Sequence, residues 1–306
     1  MSKLVIFGAT GQQGTAIITT VLNHPVLSEK YALRGITRDA SKPKAQALAV
    51  KGVEIVEADL NNASSLPAAL HTAHAVVIIT ESIYEADGRD TELRQGKTVA
   101  DASVAAGVEH IIFSTAAHCI NLWTGGPVDQ FDVKAEIEAY IRALPLKSSF
   151  IAPGMFMQNL STIMSPRKQD DGTYLIVGVN DPDTKIPLIE AAADTGEYVV
   201  PLLEDAEDNN GKVIYAGSHL SSFSEIADTI SKVSGKTVKY QQIPGEVYAG
   251  FMKQEMGWRI VAMMKFLDSP GYFGPGTEEK LQESLQLVKG RLTSFEEFAA
   301  RSFTEL

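Results

Sequence analysis

Apolar residues in the first half of the chain fall into two alternating patterns. Short, largely β-branched runs occur at residues 3–7, 31–37, 53–58, 75–80, 110–114 and 148–152. Between them, at 13–22, 40–50, 64–71, 90–106 and 131–144, apolar positions recur with the spacing of an amphipathic helix. An apolar run without alternation predicts a strand covered on both faces. Parallel neighbours need long crossovers, and helices supply them. The expected architecture is therefore α/β, a doubly wound parallel sheet. After Pro153-Gly154 the rhythm changes: Gly and Pro become frequent and the segments are shorter and more mixed. Strands are expected at 213–217 and 237–242, a helix at 222–233, and a Met- and aromatic-rich segment at 247–267. A last helix opens on Ser294-Phe295-Glu296-Glu297, the S-x-x-E capping pattern. The division this predicts is a first domain over residues 1–152 and a smaller α+β lobe over 153–306 that shapes a substrate cleft.

The first strand turns directly into Gly8-Ala9-Thr10-Gly11-Gln12-Gln13-Gly14 and then into the first helix. Gly8 permits a tight turn, Gly11 lets backbone approach a pyrophosphate, and Gly14 lets the helix pack close to the strand. The helix would direct its N-terminal N–H groups and positive dipole end at the phosphates. With that context the first domain reads as a Rossmann-type dinucleotide site. The second strand ends in Ile36-Thr37-Arg38, where an NAD site usually offers an acidic side chain to the ribose. Arg38 can fork onto a 2′-phosphate and Lys42 can add a second charge, which favours NADP(H). Asp39 next door would serve NAD if it is Asp39 that reaches the ribose.

Composition narrows the partners. The 306 residues carry a formal net charge of −11, with 44% apolar and 21% charged residues. Such an acidic chain is poorly suited to a phosphate backbone, so no nucleic-acid partner is expected. No run reaches the roughly 18 apolar residues of a membrane span, and no membrane partner is expected. A single cysteine, Cys119, fits a reducing compartment, and a cytoplasmic location is expected. The six histidines are scattered without ligand spacing, so no metal site is expected. Oligomeric state is open.

The opening Gly8-Ala9-Thr10-Gly11-Gln12-Gln13-Gly14, the Thr37-Arg38 pair, the run Phe131-Asp132-Val133-Lys134-Ala135-Glu136 and the segment from Ala152 to Leu160 together resemble the NmrA-like family, an atypical branch of the short-chain dehydrogenases. The resemblance implies that Gly8 to Gln13 wrap the pyrophosphate and that Arg38 and Lys42 hold the 2′-phosphate. It places Asp59 and Leu60 beside the adenine, with a helix N-cap the competing role for Asp59. It sets Thr80, Glu81 and Ser82 along the nicotinamide ribose, with Lys134 approaching that ribose and the segment from Phe156 to Asn159 flanking the nicotinamide.

Most short-chain dehydrogenases use Tyr-x-x-x-Lys, in which lysine lowers the tyrosine pKa for proton exchange with the substrate oxygen. None of the nine tyrosines here precedes a lysine by four, and Gln130 stands four before Lys134. Lys134, with Ile137 and Ile141 on its face, has three open roles: cofactor binding, proton transfer, or a surface pair with Glu138. After the fifth strand, Ser114 or Thr115 could hold a substrate carbonyl and His118 could replace the missing acid. Two functions follow as expectations. One is an NADPH-dependent reductase of an apolar carbonyl, enone, imine or quinone, the aromatic segment at 247–267 suiting a small apolar or aromatic substrate. The other is an NADP(H) redox sensor that acts through a protein partner without turnover.

Overall fold

A computed structural model describes residues 1–85 and 87–306, with all their side chains except those of Gln254 and Glu255. Seven strands form the central sheet: β1 (Ser2–Phe7), β2 (Tyr31–Thr37), β3 (Glu54–Glu57), β4 (Ala73–Ile78), β5 (His110–Ser114), β6 (Lys147–Pro153) and β11 (Val213–Ala216). Their order is β11-β6-β5-β4-β1-β2-β3, and every neighbouring pair is parallel. This is the doubly wound Rossmann arrangement that the alternating pattern predicts. Connections run to opposite sides from β1 and β4, so a crevice opens at the carboxyl ends of those two strands.

Alternate strand residues feed two cores. Leu4, Ile6, Val77, Ile112 and Ile151 face one side, where α1 (Gln12–Asn23) contributes Ile17, Ile18 and Val21. Val5, Phe7, Val76, Ile111 and Phe150 face the other, beneath α4 (Leu66–Leu70), α5 (Gly88–Ala105) and α6 (Asp129–Arg142). The short α2 (Leu27–Lys30) leads into β2, and α3 (Pro43–Val50) connects β2 to β3.

Two features revise the expected division at residue 152/153. The sheet does not end with β6: β11 pairs with it in parallel, Val213 opposite Phe150 and Ala216 opposite Pro153. The helix that precedes β11, α7 (Ala191–Glu204), buries Tyr198, Val199, Leu202 and Leu203 in the same core as α1. A Cβ on Gly196 would lie 2.8 Å from the carbonyl oxygen of Ala16, so only glycine allows these helices to approach so closely. The chain leaves the Rossmann unit after β6 and returns to it for residues 191–216. Alternation alone placed those residues in the second lobe, because the Gly- and Pro-rich stretch between them interrupts the rhythm.

The rest of the second half holds two small sheets. β12 (His219–Ser222) runs antiparallel to β10 (Lys185–Ile189), which pairs in parallel with β7 (Met155–Phe156). β8 (Arg167–Lys168) and β13 (Val238–Gln242) flank β9 (Tyr174–Gly178). Over them pack α8 (Phe223–Ser234) and α12 (Phe295–Ser302), each opened by a complete capping box, Ser222 with Glu225 and Ser294 with Glu297. The aromatic segment divides into α9 (Gly245–Ala249) and α10 (Gln254–Asp268), followed by α11 (Thr277–Leu285). Val261, Met264, Phe266 and Leu267 are buried, whereas Phe251 and Trp258 are about half exposed. Among the described residues no helix is long and apolar enough to cross a membrane.

Candidate functional site

The glycine turn is built as its spacing predicts. Gly8 has φ +79°, a left-handed conformation that glycine adopts without strain. Its carbonyl oxygen accepts from the Gly11 N–H at 3.0 Å, and Gly11 is the N-cap of α1. A Cβ on Gly14 would sit 2.2 Å from the Gly8 oxygen, so a side chain there would push the helix off the strand. Helix geometry leaves the first-turn N–H groups of Gln12 and Gln13 without intrahelical acceptors, at the mouth of the crevice. Gly8, Gly11 and Gln12 are exposed there, Thr10 is half-buried, and Ala9 is buried beneath, packing under Gly35. This open cradle fits a pyrophosphate.

At the end of β2 the two competing side chains have separated. Asp39 Oδ1 accepts from the N–H and hydroxyl of Ser41, at 2.9 and 2.6 Å. Those hydrogen bonds hold its carboxyl below the usual range. Arg38 is exposed, with Glu81, at the end of β4, 3.9 Å from its guanidinium. Lys42 is exposed at the N-cap of α3. The donor chemistry at this end fits a phosphate better than a ribose diol. Asp59 is not a helix cap: its carboxylate accepts the Asn61 N–H at 2.9 Å in a local turn, and the cap of the following 3₁₀ turn is Asn62. Leu60 packs against the second core, Ser82 and Asn159 are half-buried, and Phe156 packs against the first core.

At the other end of the crevice lies an ion pair that crosses from helix to helix. Lys134 on α6 binds Glu92 on α5, and its Nζ also donates to the Thr80 hydroxyl at 3.1 Å and to the Thr80 carbonyl at 3.3 Å. The Thr80 hydroxyl in turn donates to Glu92 at 2.7 Å. The side chains of Lys134 and Glu92 are 15% and 2% exposed, so this is a buried pair whose one open edge belongs to the lysine. Gly96, one turn after Glu92, makes the approach possible, since a Cβ there would lie 2.6 Å from the Ile137 side chain. The surface pair of Lys134 with Glu138 does not form, because Glu138 binds Arg142 instead at 2.7 Å.

The remaining candidates are also engaged. The Ser114 hydroxyl donates to Gln13 Oε1 at 2.9 Å, joining the β5 loop to the first turn of α1. The Thr115 hydroxyl lies 3.5 Å from the Lys134 carbonyl. Asn121 donates to His118 Nδ1 at 2.8 Å, which leaves Nε2 to carry the ring proton. Cys119 is fully buried and its thiol is pushed up by burial and by Asp132. Among the described residues no group of three His, Cys, Asp or Glu could hold a metal ion.

Glu92 is the member of this ion pair that the sequence did not single out. Glu92 left a trace: α5 buries Gly88, Glu92, Gln95, Gly96 and Val99, and a carboxylate in the covered stripe of a helix needs a partner. Phe131, in the first turn of α6, meets Tyr272 at 5.8 Å and Phe266 at 6.2 Å between ring centroids. Trp123 meets Phe266 at 6.1 Å between ring centroids. Arg259 of α10 reaches Asp129, at the start of α6, at 3.4 Å, and the Glu85 carbonyl at 3.4 Å, fastening the aromatic segment to the crevice.

Known proteins share this fold. An oxidoreductase of Penicillium ochrochloron with an NmrA-like domain is 30% identical over 258 residues, spanning 79% of this chain and 76% of the relative. NmrA, a negative transcriptional regulator solved in complex with NAD, superposes with a TM-score of 0.82 at 23% identity, over 99% of this chain and 95% of that one. The triphenylmethane reductase of Citrobacter sp., solved with NADP(H), gives 0.77 at 22% identity, over 98% and 99%. The NmrA-like family profile matches residues 1–299, and the chain belongs to that family.

Proposed function

We propose that the chain is an NADP(H)-dependent reductase of small apolar or aromatic acceptors. The observation that carries the cofactor choice is at the end of β2, where the Arg38 side chain is exposed beside Glu81 and one oxygen of the Asp39 carboxylate is held by Ser41. An arginine fork recognises a 2′-phosphate through charge-assisted hydrogen bonds. Relatives named as oxidoreductases at 28 to 30% identity support turnover. When bound, the cofactor supplies hydride. The residues of the chain do the rest. Gly8, Ala9, Thr10, Gly11, Gln12 and Gln13 bind the pyrophosphate over the close contact at Gly14. Arg38 and Lys42 bind the 2′-phosphate, and Asp59 and Leu60 border the adenine. Lys134, oriented by Glu92 and Thr80, presents its open edge to the nicotinamide ribose beside Glu81 and Ser82. Phe156 and Asn159 flank the ring, and the aromatic cluster around Phe131 excludes water.

A second reading has its own observation. The three N–H donors of Lys134 have three protein acceptors, and Ser114 is held by Gln13, so most of the chemical candidates already have partners. That arrangement suits a protein that binds NADP(H) and signals its redox state to a protein partner. Deuterium transfer from NADPH labelled in turn at each C4 position, to a panel of quinones, enones and aromatic ketones, separates the two. Labelled product supports the reductase. Tight NADPH binding with no labelled acceptor refutes it in favour of the sensor.

A further inference from the structure

Asp194 on α7 is a buried carboxylate outside the nucleotide crevice. It is 3% exposed, and both its oxygens accept from one residue of the C-terminal arm, residues 286–306. Oδ2 takes the Thr293 N–H at 2.9 Å and Oδ1 the Thr293 hydroxyl at 3.0 Å. A buried charge is costly unless a cation lies beside it. The neighbours of Asp194 along α7 are instead Glu190, four residues before, and Glu197, three after. The arm passes close over Glu197, since a Cβ on Gly290 would come within 1.7 Å of its Oε2. It carries three cations, and each is committed to another carboxylate: Lys289 to Glu204, Arg291 to Glu297 and Arg301 to Glu190.

The other elements around α7 supply no counter-charge. α1 has no charged side chain, and its Thr20 hydroxyl donates to Glu197 at 3.4 Å. His24, after α1, faces Glu204 at 3.7 Å, and Lys30 of α2 donates to the Leu203 carbonyl at 2.7 Å. His219 of β12, opposite Leu188, shares a hydrogen bond of 2.8 Å with the Ser218 hydroxyl. Tyr198, one turn along α7, is a phenol that burial keeps neutral. Among the described residues Asp194 therefore has hydrogen bonds and no ion pair.

We propose that Asp194 is a proton-operated clasp on the C-terminal arm, which is held firmly while the carboxyl is protonated and loosens when it ionises. A neutral carboxyl keeps both contacts by accepting from the Thr293 N–H and donating to the Thr293 hydroxyl. An ionised one stays dehydrated beside two other carboxylates, and lifting the arm relieves it by admitting water. Burial pushes the group up to about 6 from an ordinary 3.8, with the Thr293 hydrogen bonds restraining the rise and Glu190 and Glu197 adding to it. Docking of the arm thus takes up a proton. Its added stability is complete below pH 3.8 and is lost as pH rises through 6. From pH 5 to 7.5 the opening constant of the arm should rise about tenfold. The clasp does not depend on the reductase reading. It bears on the segment that this reading places beside the nicotinamide, because Phe295 and Phe298 of α12 share a core with Met157 and Leu160.

Hydrogen exchange of the intact protein, corrected for intrinsic rates at pH 5 and 7.5, reads the opening of α12. Wild-type protection at residues 295–303 should fall about tenfold at the higher pH. Asp194→Asn carries the hydrogen bonds of the neutral form at either pH and should keep the protection seen at pH 5. A wild-type arm equally protected at both pH values, or a fall that persists in Asp194→Asn, would overturn the proposal. Thr293→Val removes one hydrogen bond to the ionised carboxylate, so the pH of half-loosening should move upward. A downward shift, or none, would also count against the clasp. The fall should survive in His24→Gln and His219→Gln, and its disappearance in either would assign the effect to that histidine instead.

Discussion

The ion pair between Glu92 and Lys134 can be separated from its surroundings by a double-mutant cycle, because its two members differ in burial. Glu92 is 2% exposed and Lys134 15%, and both also use Thr80. Removing one partner of a buried pair typically costs about 3–5 kcal/mol, since the other charge stays buried and uncompensated. Lys134→Met leaves the more deeply buried charge with only the Thr80 hydroxyl, so a loss near the lower end, about 3 kcal/mol, is expected. Glu92→Gln keeps an acceptor and leaves an ammonium that can hydrate at the open edge, so a smaller loss of about 1–2 kcal/mol is expected. In Glu92→Leu/Lys134→Met no charge remains to be desolvated, and stability should return to within about 1 kcal/mol of the wild type. Closing the cycle with Glu92→Leu gives a coupling energy of about 2 kcal/mol or more. Urea unfolding of the nucleotide-free protein at pH 7.5 measures all four forms. Losses that add to within about 0.5 kcal/mol would show that the pair is not coupled, and the account of Lys134 as an oriented, buried cation would fail. The double variant should at the same time bind NADP(H) more weakly than the wild type, because its stability is recovered without the group that meets the ribose.

Arg38→Ala should weaken NADP(H) binding by about 10- to 100-fold, the value of a charge-assisted hydrogen bond of roughly 1.5–3 kcal/mol, and leave NAD(H) binding nearly unchanged. Titration calorimetry with both nucleotides checks it, and equal losses for the two would remove Arg38 from the 2′-phosphate. His110, buried at the opposite end of the sheet, gives a pH prediction. Burial, helped by the nearby charges of Lys147, His74 and Lys30, pushes its imidazole down to about 4. The unfolded chain therefore takes up that proton first, near pH 6.5. Stability should fall as pH drops from 6.5 towards 4, by about 3 kcal/mol from this residue. Urea midpoints at pH 7.5 and 5 should converge in His110→Gln, and an unchanged pH slope would refute the assignment.

Much of the fold was legible because it rests on local signals. The strand at 110–114 and the glycine turn follow from runs and spacings within a dozen residues, and the Ser294 cap from four. What escaped depends on contacts remote in sequence. β11 joins the sheet 60 residues after its partner β6, and α7 docks on α1 across more than 170 residues, held close by Gly196. A strand that returns to a sheet after an excursion carries no periodicity to announce which sheet it will join. The geometry of the glycine turn was legible for the same local reason, and Arg38 was favoured over Asp39 from charge alone, without the hydrogen bonds of Asp39 to Ser41 that spacing does not reveal.

The chemical end of the crevice shows the same division with a functional consequence. Lys134 was evident from its place on an apolar helix face, but its partner sits on a different helix 42 residues earlier, brought within reach by the bare Gly96. That partner changes what lysine can do. A lysine in an apolar wall has a mobile ammonium, whereas one that donates to Glu92 and twice to Thr80 is held in a single place. Fixing the charge also fixes the segment after β4, because two of the three hydrogen bonds end on Thr80.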